Sequence, residues 1–158
     1  MDDALNRERL ATTLGRGVAS GLAGTVVMTG FQRYVEMPLT KRKESYAPAD
    51  MVQRLLPINP RRRDRRRLNY VAHFGVGAAW GAAHAVAARA GLSGQKAVGV
   101  VFGTLWPGDV VGMTALGLDK PWRWSRQDLA IDLVDKLVLA ETTGVIFERL
   151  GGRPTTTR

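Results

Sequence analysis

Apolar residues in this chain are gathered into four stretches, which are separated by segments rich in charged residues and proline. The stretches lie near residues 17–35, 69–88, 97–118 and 128–150. The third contains a single charged side chain, Asp109. As a helix rising 1.5 Å per residue it would be about 33 Å long, enough for a hydrocarbon core of about 30 Å. The pattern predicts an all-α protein: a small polytopic membrane helical bundle with about four spanning helices, in which residues 1–158 form a single membrane domain.

The first stretch is short for a membrane span, because its uncharged part runs only from Gly17 to Phe31. A buried helix of a soluble bundle is therefore the alternative. Gly17, Gly21 and Gly24 fall on one face of this helix. Since glycine lets helix backbones approach closely, this face is expected to pack against another helix.

The last stretch carries more charge than membrane spans usually do. Asp132, Asp135, Lys136 and Glu141 all lie within it. A central Asp or Lys opposes insertion by about 2.5–3.5 kcal/mol. Lys136 can pair with Asp132 at i,i+4, so we predict an amphipathic fourth helix that closes the bundle around buried polar groups. A helix lying on the membrane surface is the alternative.

Two histidines mark one face of the second stretch. His73 and His84 are 11 positions apart, which returns them to nearly the same side of a helix. Their separation of roughly 16 Å along the axis excludes a shared metal, since zinc–nitrogen bonds are about 2 Å. Either both imidazoles are hydrogen-bonded where this face packs on another helix, or one pairs with a carboxylate as a proton-sensitive contact.

Pro107, Gly108 and Asp109 stand in the middle of the third stretch. Proline has no N–H, so a kinked or broken helix is expected there. Asp109 is predicted to cap the second half-helix by accepting from the backbone N–H of Val111 or Gly112. It is also an ionisable group at the middle of a span, as found in ion and proton pathways.

Residues 36–69 are basic and interrupted by proline, and they are predicted to form a loop with a short amphipathic helix near residues 49–56. No aromatic residues interleave its arginine run, so nucleic-acid binding is not expected. The run is expected instead to contact anionic lipid headgroups through Arg61, Arg62, Arg63, Arg65, Arg66 and Arg67. Fourteen lysines and arginines flank the spans on the side of this loop, against eight on the other side. The positive-inside rule therefore places the loop in the cytoplasm and both termini outside.

The remaining features of the sequence limit which chemical activities are expected of the chain. The chain has no cysteine and carries a formal charge of +9, and it contains no nucleophile–base motif, metal-ligand spacing or phosphate-binding loop. We therefore predict no catalysis, metal or cofactor. The candidate functional residues are ionisable groups within the spans: His73, His84, Asp109, Asp132, Asp135 and Lys136.

These residues indicate a membrane protein with proton-linked transport or a pH response. A non-catalytic accessory or lipid-contacting membrane subunit is the alternative, and a basic helical peripheral membrane protein is the second alternative. The expected partners are the lipid bilayer and either a second copy of the chain or another membrane component.

Several short motifs occur in a characteristic order: GLAG from Gly21, EMPL from Glu36, and P-x-D-M from Pro48. They are followed by a span opening with His73, a glycine-rich span ending in Gly117–Leu118, and Pro121. In this order the chain resembles the YagU-like inner-membrane proteins, a family without an assigned activity. The resemblance implies a helical bundle in the bacterial inner membrane and supplies no catalytic residues. The charged last helix departs from the family pattern.

Overall fold

The computed structural model describes residues 2–152 and is helical in all its regular structure over that range. The all-α prediction is confirmed for these residues. A π-helical turn at Gln32–Glu36 joins the first two helices, and a 3₁₀ turn at Pro121–Arg123 precedes the last. The helices are α1 (Asp2–Phe31), α2 (Met37–Thr40), α3 (Ala47–Leu55), α4 (Arg62–Arg89), α5 (Gly94–Ala115) and α6 (Arg126–Arg149).

The four long helices alternate in direction along the chain. Gly17 of α1 meets Gly81 of α4, while Thr29 further along α1 meets His73 nearer the start of α4. The helices α1, α4 and α6 pack closely together, and α5 lies against α4 and α6. The loops before α4 and before α6 therefore lie at one end of the bundle, which we call the basic end.

The closest contact in the bundle joins the backbones of α1 and α4. A Cβ atom added to Gly21 would lie 2.8 Å from the backbone nitrogen of Gly81, and one added to Gly81 would lie 2.8 Å from the backbone nitrogen of Gly21. Gly24 faces α6, where an added Cβ would lie 3.3 Å from Leu139 Cδ1. The predicted close packing of the Gly17–Gly21–Gly24 face is confirmed.

The interior of the bundle combines an apolar core, which includes Met28, Trp80 and Leu139, with several buried polar side chains. Among the described residues, the five largest fully buried side chains include one aliphatic residue, Leu139; the other four are His84, Thr25, Thr143 and Ser20. Ser20 and Thr25 donate to carbonyls one turn earlier in their own helix, at 2.7 and 2.8 Å. This local pairing satisfies both hydroxyls without a partner on another helix.

Of the described helices, α5 alone is long and apolar enough to cross a membrane, and 17% of its most apolar window is buried. The break expected at Pro107 is absent, since the helix runs uninterrupted from Gly94 to Ala115, and the expected kink stays a prediction. It ends where Gly117 takes a left-handed conformation with φ of 72°. There the N–H of Leu118 donates to the Met113 carbonyl at 2.9 Å, which is the hydrogen bond of a Schellman motif.

The basic segment is more helical than expected. The short helix predicted at residues 49–56 is present as α3. The arginine run, however, belongs to α4, which begins at Arg62 and not near Asn69. The loop predicted over residues 36–69 therefore contains α2, α3 and the first two turns of α4. Asp64 in the first turn of α4 favours this helical start, because a negative charge is stabilising near a helix N-terminus.

Candidate functional site: a polar cavity at the basic end

A cavity of about 820 Å³ opens at the basic end of the bundle. Its walls come from the end of α1 with the π turn, the start of α4, the second half of α5 and the first half of α6. Five of the six ionisable residues singled out from the sequence line it: His73, Asp109, Asp132, Asp135 and Lys136. His84 lies outside it.

Lys136 is the centre of a charged cluster that joins α5 to α6. Its Nζ contacts Asp109 Oδ2 and lies 3.7 Å from Asp132 Oδ1. The i,i+4 pair predicted between Lys136 and Asp132 is thus confirmed. Trp106 Nε1 donates to the other oxygen of Asp132 at 2.7 Å, so two side chains of α5 hold two neighbouring side chains of α6.

The predicted capping role of Asp109 is wrong. Its carboxylate pairs with Lys136 on α6, and the helix around it needs no new N-terminus because α5 is continuous. Pro107 removes one backbone donor and leaves the other hydrogen bonds of the helix in place. The Lys136 ammonium on the adjacent helix satisfies the carboxylate with a charge-assisted contact.

Asp135 is the most buried carboxylate of the cavity wall, with 7% of its surface exposed. Gln32 Nε2 donates to its Oδ2 at 2.7 Å. Its Oδ1 is buried and has no hydrogen-bond partner among the described residues. A buried polar oxygen without a partner is uncommon in native structures and calls for an explanation.

The π turn at the end of α1 supplies three residues of the wall that sequence reasoning missed: Gln32, Arg33 and Glu36. In this turn the N–H of Met37 donates to the Gln32 carbonyl, an i→i−5 bond, and Pro38 follows without an N–H to continue the ordinary ladder. Such turns are frequent at functional sites. Pro38, placed directly after a span, was the sequence signal for an irregular helix end.

His73 joins α4 to α1 beside the cavity. Its Nε2 lies 3.1 Å from Thr29 Oγ1, and the Thr29 hydroxyl donates to the Thr25 carbonyl at 2.7 Å. Because a hydroxyl has one hydrogen to donate, the shared hydrogen of the first pair belongs to His73 Nε2. Its Nδ1 therefore remains the nitrogen that is available to accept or take up a proton.

His84 occupies a separate, nearly closed site between α4 and α6. It is 1% exposed, and a Cβ atom added to Gly144 would lie 3.3 Å from its Cε1. Its Nε2 has no hydrogen-bond partner within the part of the chain that the structure describes. The two histidines thus sit in different environments, and no group of three metal-binding side chains is present among the described residues.

The arginine run forms an exposed surface near the cavity mouth. Arg65 pairs with Asp50 of α3 at 2.6 Å and stacks over Tyr46, with its guanidinium 5.0 Å from the ring centre. Arg66 lies over Tyr70, and this tyrosine raises the pKa of Arg66 above its ordinary value. The other arginines predicted to contact lipid are exposed: Arg61, Arg62, Arg63 and Arg67.

Asn69 anchors α3 to α4, a role that the sequence did not indicate. The N–H of Ala49 donates to its Oδ1 at 3.2 Å, and its Nδ2 donates to the Ser45 carbonyl at 3.0 Å. This buried side chain holds the basic segment over the cavity.

Neither a protein-family model, nor a curated protein, nor a solved structure matches the chain. The resemblance to the YagU-like family stays a prediction from the sequence motifs.

Proposed function

We propose that this chain is an integral protein of the bacterial inner membrane, spanning it with α1, α4, α5 and α6, and that its polar cavity opens to the cytoplasm and serves proton-linked transport or a pH response. One observation supports the membrane part most directly, namely that large apolar side chains are exposed on the outside of all four long helices. Among the residues whose side chains the structure describes, 22 large hydrophobic ones are exposed.

The exposed apolar side chains occur on all four long helices, as at Val26, Val71, Val111 and Val134. Val71 is 71% exposed and Val111 is 67% exposed. Burying a side chain of this size is worth about 1.5–3 kcal/mol in water, which the bundle by itself leaves unused. In a bilayer no such burial is needed, because lipid tails are as apolar as the side chains.

Three of the charges within α6 are compatible with a span. Asp132, Asp135 and Lys136 all line the cavity, and none of them is among the exposed residues. Intramembrane ionisable groups that face a cavity and pair with one another are the ones that membrane proteins retain for function. The cavity shares the basic end with the arginine run, so the positive-inside rule turns its mouth to the cytoplasm.

An alkaline carbonate wash of membranes tests the membrane part. We expect the protein to remain in the pellet. Its release into the supernatant would contradict the proposal and favour a basic helical peripheral protein held by the arginine run.

Proteoliposomes test the proton part. With a pH dye trapped inside and a membrane potential imposed, we expect the wild-type protein to carry protons and Asp135→Asn to carry fewer. Glu141→Gln is a matched control on the same helix, since Glu141 accepts from Gln95 at 2.9 Å and is not part of the cavity wall. If the proteoliposomes carry protons no faster than protein-free vesicles, the protein does not transport protons. A pH response is then the remaining form of the proposal.

A second candidate function is that of an accessory, lipid-contacting subunit in which the charges only hold helices together. The exposure of five of the six arginines of the run favours it, because they are free to contact anionic headgroups at about 1 kcal/mol each. This function predicts no effect of Asp135→Asn on proton flux and salt-sensitive enrichment of anionic lipid around the purified protein.

A further inference from the structure

We propose that three exposed apolar residues at the end of α3 enter the cytoplasmic leaflet of the membrane, so that α3 is an interfacial helix on an anionic phospholipid surface. The residues are Leu55, Leu56 and Ile58, which we call the apolar tip. The inference goes beyond the four spans of the proposed function and rests on them, because it takes the position of the membrane from α5.

The apolar tip is exposed on the bundle by itself. Leu55 is 60% exposed, Leu56 53% and Ile58 42%, although all three are large aliphatic side chains. The backbone holds them in a tight turn, in which the N–H of Ile58 donates to the Leu56 carbonyl at 2.8 Å and Pro57 at the centre has a fixed φ. Three apolar side chains are therefore kept close together at a position that the fold leaves uncovered.

Hydrogen bonds place the apolar tip beside the end of α5. Arg54, the residue before the tip, donates from Nε to the carbonyl of Leu116 at 3.2 Å, and Leu116 is the residue at which α5 ends. Because α5 is long and apolar enough to cross a membrane, its end marks the boundary of the hydrocarbon core. The tip next to Arg54 therefore lies near this boundary.

The other end of α3 is fixed to α4. Asn69 accepts from the N–H of Ala49 and donates to the Ser45 carbonyl, and Asp50 pairs with Arg65 at 2.6 Å. The helix thus reaches from the start of α4 to the end of α5 across the basic end. This is the position of a helix that lies along a membrane surface rather than across the membrane.

Exposed arginines flank the apolar tip on both sides. Arg54 precedes it, and Arg61, Arg62 and Arg63 follow it. Apolar side chains at the acyl boundary with basic residues beside them are typical of interfacial segments that bind anionic lipid. The pattern favours a lipid surface over a second copy of this chain, because the formal charge of +9 would bring like charges together.

Two further exposed side chains at the basic end support the same position of the membrane. Leu39 of α2 is 78% exposed, and Trp122 of the 3₁₀ turn is 72% exposed. The first follows α1 and the second follows α5, so both lie where a span ends. Tryptophan is enriched at this level of a bilayer. Exposed apolar side chains thus occur on three separate segments of this end, as expected if one lipid surface contacts all three.

The test uses the full chain, which has no cysteine, with a nitroxide spin label attached in turn to Leu55→Cys, Leu56→Cys and Ile58→Cys. Each variant is reconstituted into vesicles of phosphatidylethanolamine and phosphatidylglycerol. Collisions of the label with oxygen, which concentrates in lipid, are compared with collisions with a water-soluble nickel chelate. Val111→Cys on α5 is the lipid-facing reference, and Asn59→Cys, at an exposed polar position beside the tip, is the matched control.

We expect the labels on the apolar tip to collide several times more often with oxygen than with the nickel chelate, as the label at Val111 does. The label at Asn59 should collide more often with the chelate. When phosphatidylcholine replaces phosphatidylglycerol, the tip labels should shift toward the chelate while the label at Val111 stays unchanged, because the arginines lose their anionic partners. The absence of this shift would overturn the anionic surface as the partner.

The inference is also overturned if the tip labels collide mainly with the nickel chelate, since the tip is then in water. It is overturned equally if neither reagent reaches them, since protein then covers the tip; spin–spin broadening would identify that protein as a second copy of the chain. A tip in water together with Val111 in lipid refutes this inference alone, whereas Val111 in water, or release by carbonate, refutes the membrane proposal.

Discussion

The contact between α1 and α4 leads to a sharp prediction, that Gly21→Ala destabilises the bundle although alanine is the better helix former. An alanine Cβ at this position would lie 2.8 Å from the backbone nitrogen and 2.9 Å from the Cα of Gly81. The carbonyl oxygen of Gly77 would lie closer still to this Cβ, and ordinary contacts of a Cβ begin near 3.4 Å, so the two helices must separate by clearly more than about half an ångström. Backbone atoms cannot rotate away as a flexible side chain can, and overpacking of this kind is worth about 1–3 kcal/mol of lost stability.

Gly75→Ala is the matched control, because Gly75 lies in α4 and nothing approaches its position within 4 Å. Both substitutions gain the same helix propensity, about 1 kcal/mol. The difference between the two variants therefore isolates the helix contact, and we expect Gly21→Ala to be less stable by about 1–3 kcal/mol.

Thermal unfolding in detergent, followed by the fluorescence of the four tryptophans, of which Trp80 is buried, measures this difference. Gly81→Ala, placed opposite Gly21, should behave like Gly21→Ala. If Gly21→Ala melts at or above the temperature of Gly75→Ala, the backbones of α1 and α4 are not in the close contact described, and the reasoning fails.

Three further predictions concern other parts of the molecule. Lys136→Met leaves Asp109 and Asp132 without their shared cation, so it should lower the free energy of unfolding by on the order of 3 kcal/mol in the same melting assay. An unchanged melting temperature would show that the ion pairs of this cluster do not stabilise the bundle. Asn69→Ala should release α3 from α4 and speed proteolysis of residues 36–69, whereas Asn59→Ala, at an exposed position, should not. Equal cleavage rates of the two variants would show that Asn69 does not hold α3 in place. The chain has no cysteine, so single cysteines can be labelled with a membrane-impermeant thiol reagent. Ser45→Cys should react only after the cells are opened, whereas Ser93→Cys should react in intact cells. The opposite result would reverse the topology.

Much of the local organisation follows from the order of residues along the chain. The helical stretches, the close-packing face of Gly17, Gly21 and Gly24, and the pair of Lys136 with Asp132 all depend on residues within a few turns of one helix. Helical periodicity alone brings such residues together. For this reason these features could be predicted without knowing which helix lies next to which.

The cavity depended on the tertiary structure. Asp109 pairs with Lys136 across 27 positions, and Gln32 pairs with Asp135 across 103. These pairs exist because of the relative rotation and register of helices, which cannot be read from the local residue pattern of one sequence. The π turn shifts the side chains that follow it around the helix axis, so that Gln32 and Glu36 both line the cavity.

Asp109 shows the difference most clearly. Its neighbours Pro107 and Gly108 indicated a broken helix with a local cap, and local chemistry alone made that the better prediction. The ammonium of Lys136 on the next helix supplies a charged partner, so the carboxylate joins two helices. A local preference of about 1 kcal/mol for capping is small beside the roughly 1.5–3 kcal/mol of a hydrogen bond to a charged group, so tertiary packing can override it here.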